Sequence, residues 1–321
     1  MTDRPWVSLH AFHTSGTDAL LTGAVAPLLA TLEHRGLITG HFFLRYWEGG
    51  PHLRLRLRCA PADATASPAA VTAQATDALV GWLAGRPADK RPSADELARL
   101  SGQLAQAEGL HDFDRRIRTR DGVERIPYRP EYRAYGGPEA VAAVERHFTD
   151  SSRIALELLT AGADLRQRAA FALTAQLLAL AAWEPDRERI GALFALTPRL
   201  PAPPVPDALR QRAELCWQLA SGTAPAEVGG PSAAWWRSVR RLRAELAALH
   251  EGGRLAPTAT DPLYGLDATA LQPGDRAVLV VLMRCVHLLH NRLGLTTDRE
   301  LHLRSLVGAA LICRNDTEET S

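Results

Sequence analysis

The chain has 321 residues, with 37 basic and 36 acidic side chains and a formal net charge of +1. Because neither sign of charge dominates, the composition excludes a basic nucleic-acid-coating protein and an acidic disordered chain. Hydrophobic residues make up 46% of the sequence, which is enough to bury the core of one large domain or two ordinary ones.

The N-terminal third of the sequence predicts strands mixed with helices. Alternation predicts a strand over Trp6 to His13, and helical spacing of leucines predicts a helix over Asp18 to Arg35. Two strand-like runs, His41 to Trp47 and His52 to Arg58, flank Glu48-Gly49-Gly50-Pro51 and predict a β-hairpin. The other elements predicted here are a helix over Ala69 to Leu83 and a second hairpin over Arg115 to Arg129.

From Pro138 onward the hydrophobic spacing is helical almost throughout. The predicted helices are Glu139 to Thr160, Leu165 to Trp183, Pro185 to Leu196, Asp207 to Ala220, Pro231 to His250, Arg276 to Leu293 and Asp298 to Cys313. The sequence therefore predicts an α+β fold, with an antiparallel sheet in the N-terminal third and a mostly helical C-terminal part. We expect residues 1–321 to form a single domain, sheet-rich over 1–135 and helical over 136–321.

The lack of a targeting signal and the dispersed cysteines predict a cytoplasmic protein without a bound metal. Met1 to His10 lacks the pattern of a signal peptide, and the most apolar stretch, Ala277 to Met283, is far shorter than the roughly 20 residues of a membrane span. No CxxC pair and no Cys/His spacing suited to zinc occurs. The four cysteines, expected to be free and mostly buried, are Cys59, Cys216, Cys285 and Cys313.

An arginine row is predicted on one face of the strand His52 to Arg58. Side chains alternate along a strand, so Leu53, Leu55 and Leu57 share one face and Arg54, Arg56 and Arg58 share the other. Hairpin pairing is expected to bring Arg45 beside this row. The arginines form either a solvated sheet face or a surface that binds carboxylates or phosphates through forked hydrogen bonds.

Polar side chains interrupt an otherwise apolar helix near residue 287. Helical spacing places Arg284, His287 and Asn291 on one face. A histidine among apolar residues is often a hydrogen-bonded core residue. Three polar groups on one face instead favour a site that meets a partner or substrate, because burying them without partners is costly.

A tyrosine-rich segment precedes the helical part. Tyr128 and Tyr135 lie near Gly136-Gly137, a flexible bend before a helix, and Ser152 lies within that helix. These residues fit either packing at the edge of the core or a site at the start of the helix. The sequence contains no P-loop, GxGxxG, GxSxG or HExxH motif, so it lacks the signatures of the familiar nucleotide, hydrolase and zinc chemistries.

Three segments together resemble one protein family. They are Phe42 to Arg56, Tyr135-Gly136-Gly137 and His287 to Leu293, in matching order, within a similarity that runs from Trp6 to about Cys313. The chain resembles the C-terminal elimination domain of class I lanthipeptide dehydratases, which also occurs alone as the thiopeptide-type bacteriocin biosynthesis domain. The resemblance implies the fold of that domain, and the length leads us to expect a free-standing member.

The resemblance implies two possible reactions. Some free-standing members eliminate glutamate from glutamylated Ser or Thr, and others are pyridine synthases, which join two dehydroalanines of a thiopeptide precursor by a formal aza-[4+2] cycloaddition. Elimination domains share a Tyr-x-x-Glu-x-x-Arg-Tyr-Gly-Gly pattern, in which the arginine falls on Ala134 here, although Arg133 leaves a slipped match open. The usual Asp-Ser likewise becomes Ser151-Ser152. These departures favour a pyridine synthase over elimination, and a peptide-binding subunit without activity is a further alternative.

The same resemblance suggests roles for individual residues. We expect His287, Tyr128, Tyr135 and Ser152 to transfer protons or polarise carbonyl groups. The peptide-binding candidates are Arg45, Arg54, Arg56, Arg284 and Asn291. The expected partner is a dehydrated, azole-containing precursor peptide with its leader. We expect the sheet-rich part to bind the leader. The reaction requires no metal or redox cofactor, and neither a nucleic acid nor a membrane is expected as a partner.

Overall fold

The computed structural model describes residues 6–14, 16–61, 67–86, 92–107, 112–195, 204–223, 229–258, 271 and 273–312. The chain divides into two compact units. The first, called the sheet unit, comprises Met1–Arg129 and Ala155–Gly162, and the second, called the helical unit, comprises Pro130–Ile154 and Ala163–Ser321.

The sheet unit contains a four-stranded antiparallel sheet with the order β2-β3-β1-β4. The strands are β1 (Trp6–Phe12), β2 (Ile38–Tyr46), β3 (His52–Cys59) and β4 (Gly122–Arg125). Leu53, Leu55 and Leu57 are completely buried, as their alternation with the arginines predicts. The predicted fold class and the hairpin of β2 and β3 are therefore confirmed.

The second predicted hairpin is wrong. Residues 112–121 form no strand, and β4 pairs with β1 instead. The segment that precedes β4 runs along the β2–β3 turn, where the Arg118 amide donates to the Gly49 carbonyl at 2.8 Å. Gly49 has a φ of 76°, and a Cβ there would lie 3.0 Å from the Arg116 carbonyl oxygen. Glycine therefore permits both the turn and the close approach of this segment.

Helices cover the leucine face of the sheet. Helix α1 (Thr17–Leu20) continues through a π-helical turn (Leu21–Val25) into α2 (Ala26–His34), and α3 (Pro68–Ala84) follows β3. Helix α2 contacts β2, and α3 contacts β1. The pattern did not predict α4 (Ala94–Ala107), which begins with a reciprocal pair of hydrogen bonds between Ser93 and Glu96.

The helical unit confirms the predicted helices with small differences at their ends. Its helices are α5 (Tyr132–Tyr135), α6 (Pro138–Thr160, whose last residues belong to the sheet unit), α7 (Leu165–Trp183), α8 (Arg187–Ala195), α9 (Asp207–Ser221), α10 (Gly230–Glu251), α11 (Pro273–Arg292) and α12 (Thr297–Ile312). Helix α7 contacts α9, α10, α11 and α12, and eleven of its residues are buried. It is therefore the central helix of this unit.

Three of the four cysteines, Cys59, Cys216 and Cys285, are free and buried, and Cys313 lies outside the described residues. Burial raises the pKa of Cys285 to about 12, so this thiol stays protonated at neutral pH. Within the described ranges, no helix has the length and apolarity needed to cross a membrane.

Candidate functional site

The arginine row lies against aromatic rings on one face of the sheet. Strand register places the even-numbered residues of β1 and β3, and those of β2 from Gly40 onward, on this face. The guanidinium carbons lie 3.3 to 5.5 Å from ring centroids: Arg54 over Tyr46, Arg56 over Tyr128 and Arg58 over Trp6. The row is therefore a cation–π surface.

Arg56 is the buried member of this row, with 6% of its surface exposed. Its guanidinium donates to His10 Nε2 at 3.1 Å and to the Leu55 carbonyl at 3.3 Å. Because a guanidinium can only donate, His10 must accept through Nε2 and is therefore neutral. Burial and the charge of Arg56 lower the pKa of His10 to about 2, in agreement with this assignment.

Arg45 does not lie beside the arginine row, so that expectation is wrong. It pairs across the hairpin with Leu53, and directly paired residues share a face of the sheet. Arg45 therefore belongs to the leucine face, where its side chain pairs with Asp18 at 2.6 Å. In contrast, Arg54 stays in the row and forms an ion pair with Glu48 at 2.7 Å.

The Gly136-Gly137 bend holds Tyr135 in the interior of the helical unit. Both glycines have positive φ angles, 93° and 125°. The Gly136 carbonyl accepts a hydrogen bond from the Ala256 amide at 3.1 Å. Tyr135 is 7% exposed and packs edge-on against Phe148 with centroids 5.8 Å apart. Burial raises its pKa well above the ordinary value, so its hydroxyl stays protonated and can donate.

Arg284 fixes the backbone beside this bend. Its guanidinium donates to the carbonyl oxygen of Ala134 and, at 3.0 Å, to that of Thr258. Arg284 is 8% exposed, whereas Arg133 is exposed. A guanidinium thus reaches position 134 from α11 and is hydrogen-bonded to the protein's own backbone.

His287 is paired with a carboxylate of the next helix. Its Nδ1 lies 2.8 Å from Glu300 Oε2, and its side chain is 31% exposed. The other oxygen of Glu300 lies 3.5 Å from His290 Nδ1. Burial alone would raise the pKa of Glu300, but its interactions with His287 and His290 lower that pKa to about 2. Glu300 is therefore a buried anion held between two imidazoles.

The sequence-based prediction missed Glu300. On α12 the buried residues include Glu300, Leu303, Val307 and Leu311, which recur at helical spacing along one face. Glu300 occupies the first position of this apolar stripe. A carboxylate in such a stripe needs a buried partner, and that signal was available in the sequence.

Asn291 and Ser152 complete the predicted set in the helical unit. Asn291 is half-buried near the end of α11, and Ser152 is completely buried within α6. The neighbouring Ser151 accepts a hydrogen bond at 3.2 Å from Arg292, which is fully buried and lies over the Phe148 ring at 4.7 Å. Ser152 therefore belongs to a buried layer of the helical unit.

A buried network joins α6 to α10 and resembles a Ser-His-Asp triad in composition. The Ser238 hydroxyl donates to Asp150 at 2.6 Å and lies 2.9 Å from His147 Nδ1. Because the Ser238 hydroxyl donates its hydrogen to Asp150, its oxygen must accept a hydrogen bond from the His147 imidazole. His147 therefore acts as a donor and not as a base. Ser238 is 2% exposed, so this network ties the two helices together.

The nine predicted site residues fall into two groups, one in each unit. Arg45, Arg54, Arg56 and Tyr128 belong to the sheet unit, and Tyr135, Ser152, Arg284, His287 and Asn291 belong to the helical unit. The structure brings Arg56 and Tyr128 into contact in the first group. In the second group, Arg284 contacts the backbone next to Tyr135, and His287 contacts Glu300.

Solved structures with a similar fold include three proteins. The pyridine synthase TbtD from thiomuracin biosynthesis has a TM-score of 0.67 and 20% identity, covering 95% of this chain and 97% of TbtD. TsrL has a TM-score of 0.60 and 18% identity, covering 96% and 94%. The tRNA-dependent lantibiotic dehydratase MibB from Microbispora sp. 107891 has a TM-score of 0.58 and 22% identity, and the match covers 97% of this chain but 28% of MibB.

Sequence comparison gives the family. A search of curated proteins found no match. The profile described as "Lantibiotic biosynthesis dehydratase C-term" matches residues 6–311, which is nearly the whole chain. This protein therefore belongs to the lantibiotic biosynthesis dehydratase C-terminal family.

Proposed function

We propose that this chain is a pyridine synthase of thiopeptide biosynthesis. It joins two dehydroalanines of a modified ribosomal peptide by a formal aza-[4+2] cycloaddition, with loss of water and of the leader peptide. Family membership and the end-to-end likeness in fold to TbtD support this proposal.

The alanine at position 134 favours cycloaddition over glutamate elimination. Elimination domains have an arginine there by the resemblance above, and a guanidinium suits the carboxylate of a leaving glutamate. Arg133 is exposed and does not replace that arginine inside the helical unit. Arg284 reaches the same position, but its hydrogen bonds go to the Ala134 and Thr258 carbonyls. A reaction that expels no glutamate has no need of this guanidinium.

The chemistry requires a proton shift within the peptide. One dehydroalanine must present its preceding amide as an imidic acid, so the amide N–H bond breaks and an O–H bond forms. His287 removes the amide proton, and a hydroxyl group donates to the amide oxygen. The cyclic product then loses water and expels the leader as an amide, which leaves an aromatic pyridine. Holding the two alkenes in contact supplies much of the remaining rate acceleration.

Hydroxyl groups provide the donors in this mechanism. Tyr135 keeps its proton because burial raises its pKa, so it acts as a donor and not as a base. The resemblance also suggests Tyr128 and Ser152 as donors, but Ser152 is completely buried and Tyr128 belongs to the sheet unit, so we assign the donor role in the helical unit to Tyr135. Arg54 and Arg56 hold the peptide on the arginine face of the sheet, and Asn291 binds the peptide in the helical unit. We assign Arg284 to positioning the Gly136-Gly137 bend, because its guanidinium binds the backbone there.

Glutamate elimination is the second candidate, and the pairing of His287 with Glu300 favours it. A histidine held by a carboxylate also suits the removal of the α-proton that precedes loss of glutamate. A subunit that binds the precursor without reacting is the third possibility.

Mass spectrometry with two substrates separates these functions. One substrate is a leader-bearing peptide with two dehydroalanines, and the other carries a glutamyl ester on serine. A pyridine synthase converts the first into a cyclised product and releases the leader. An eliminating enzyme instead forms a new dehydroalanine from the second. Binding of both peptides with no product contradicts both enzymatic functions.

A further inference from the structure

We propose that Glu300 is a positioning residue that fixes the imidazole of His287 in its Nδ1–H tautomer, so that Nε2 is the ring nitrogen able to take a proton. This inference rests on the proposed function for its catalytic consequence. The positioning itself follows from the geometry of α11 and α12.

The hydrogen bond between the two side chains sets the tautomer. Glu300 is ionised at neutral pH, since its pKa is about 2, and an ionised carboxylate can only accept. The ring nitrogen 2.8 Å from Oε2 must therefore carry a hydrogen, and that nitrogen is Nδ1. In the neutral ring the lone pair then belongs to Nε2. The nitrogen that can take a proton is thus the one opposite Glu300.

Burial makes this pairing rigid. Glu300 is 7% exposed and sits in the apolar stripe of α12, whereas the His287 side chain is 31% exposed. The partially exposed imidazole is therefore anchored at its inner nitrogen. A carboxylate in this position also stabilises the imidazolium that forms when Nε2 takes a proton.

The buried ring of His290 packs beside the second oxygen of the carboxylate. Its Nδ1 lies 3.5 Å from Glu300 Oε1, and its Nε2 donates to the Ala172 carbonyl of α7 at 3.4 Å. The ring is 1% exposed. The carboxylate of Glu300 is thus enclosed on one side by a buried imidazole ring and hydrogen-bonded on the other to the histidine that it orients.

In the proposed reaction, the protein takes one proton from the amide nitrogen and gives one to the amide oxygen, so it gains no proton overall. Nε2 of neutral His287 takes the proton from the amide nitrogen, and the imidazolium is stabilised by Glu300. The amide oxygen gains a proton from a hydroxyl donor, and the imidazolium restores the proton of that donor. No oxidant, reductant or further reactant is consumed.

Imidazole ¹⁵N NMR on the protein alone tests the positioning directly. The His287 signals, assigned with a His287→Asn variant, should show the Nδ1–H tautomer in the wild type. Glu300→Gln should lose this preference, because a side-chain amide can accept or donate. An Nε2–H tautomer in the wild type, or an unchanged tautomer in Glu300→Gln, overturns the proposal. The wild-type measurement decides even if the variant does not fold.

Kinetics provide the second measurement. With the dehydrated, leader-bearing peptide, Glu300→Gln should lower kcat roughly 10- to 10³-fold with KM changed less than about threefold. The matched control is Asp298→Asn, which removes an exposed carboxylate from the same first turn of α12 and should leave kcat within about twofold.

An unchanged kcat in Glu300→Gln overturns the catalytic part of the proposal. A wild-type enzyme that forms no cyclised product instead refutes the proposed function. In that case the tautomer measurement still decides whether Glu300 positions His287.

Discussion

Replacing Gly136 by alanine should destabilise the helical unit through two separate effects. Gly136 has a φ of 93°, and the left-handed region costs a residue with a Cβ about 1–2 kcal/mol. The added Cβ would also lie 2.8 Å from Leu255 Cδ1 and 3.0 Å from the backbone nitrogen of Pro257. Overpacking of this kind costs about 1–3 kcal/mol. The expected loss in the free energy of unfolding is therefore about 2–5 kcal/mol.

Gly222→Ala is the matched control for this substitution. Gly222 also belongs to the helical unit and has a φ of 75°, but nothing lies within 4 Å of the Cβ position. Its variant should lose only the conformational part, about 1–2 kcal/mol. Urea denaturation followed by tryptophan fluorescence measures both variants, with the m-value checked for each. Equal losses in the two variants would show that the contacts with Leu255 and Pro257 do not constrain the bend.

Three further predictions concern catalysis, acid stability and salt. His287→Ala should lower turnover roughly 10- to 10⁴-fold with little change in leader affinity. The control His302→Ala, at an exposed position on α12, should turn over normally. Normal turnover in His287→Ala would contradict the catalytic role. Buried neutral histidines have pKa values lowered from 6.5, so as pH falls the unfolded chain binds a proton at each of them before the folded chain does. Each such histidine therefore reduces the free energy of unfolding by about 1.4 kcal/mol for each pH unit below about 6.5. They are His10, with a pKa of about 2, His52, about 4, and His147, about 3. Equal stability in urea at pH 7.5 and pH 5.5 would refute this. We expect the exposed Arg115 and Arg116 to attract acidic side chains of a leader peptide, so leader affinity should fall as salt rises, because exposed charges are screened within about 8–10 Å, and should be lower in Arg115→Ala/Arg116→Ala. Isothermal titration that shows no salt dependence would exclude this electrostatic contribution.

Local patterns predicted the elements whose partners lie close in the sequence. The hairpin of β2 and β3 follows from alternation around Gly49-Gly50, and the long helices follow from apolar spacing. The face occupied by Arg45 was mispredicted because a shift of one residue in register reverses the face of every side chain. The second hairpin failed for a different reason, since β4 pairs with β1, more than 100 residues earlier in the sequence.

The candidate site was only partly visible in the sequence. Helical spacing identified His287, but its partner Glu300 lies on the following helix, and only tertiary packing shows that the two side chains meet. The same limit applies to Arg284, whose acceptors are backbone carbonyls that no pattern of side chains can reveal. Ser93 and Glu96 did carry a local signal for the start of α4, because they form a capping box.

The most direct test of the proposed pyridine synthase is to look for the leader released as a C-terminal amide. A peptide with two dehydroalanines and its leader is incubated with the wild-type protein and followed by high-resolution mass spectrometry. We expect the leader amide to appear in equal amount with a cyclised product that contains the pyridine. An intact peptide with neither species formed, together with loss of glutamate from a glutamylated peptide, would contradict the account and assign the chain to elimination.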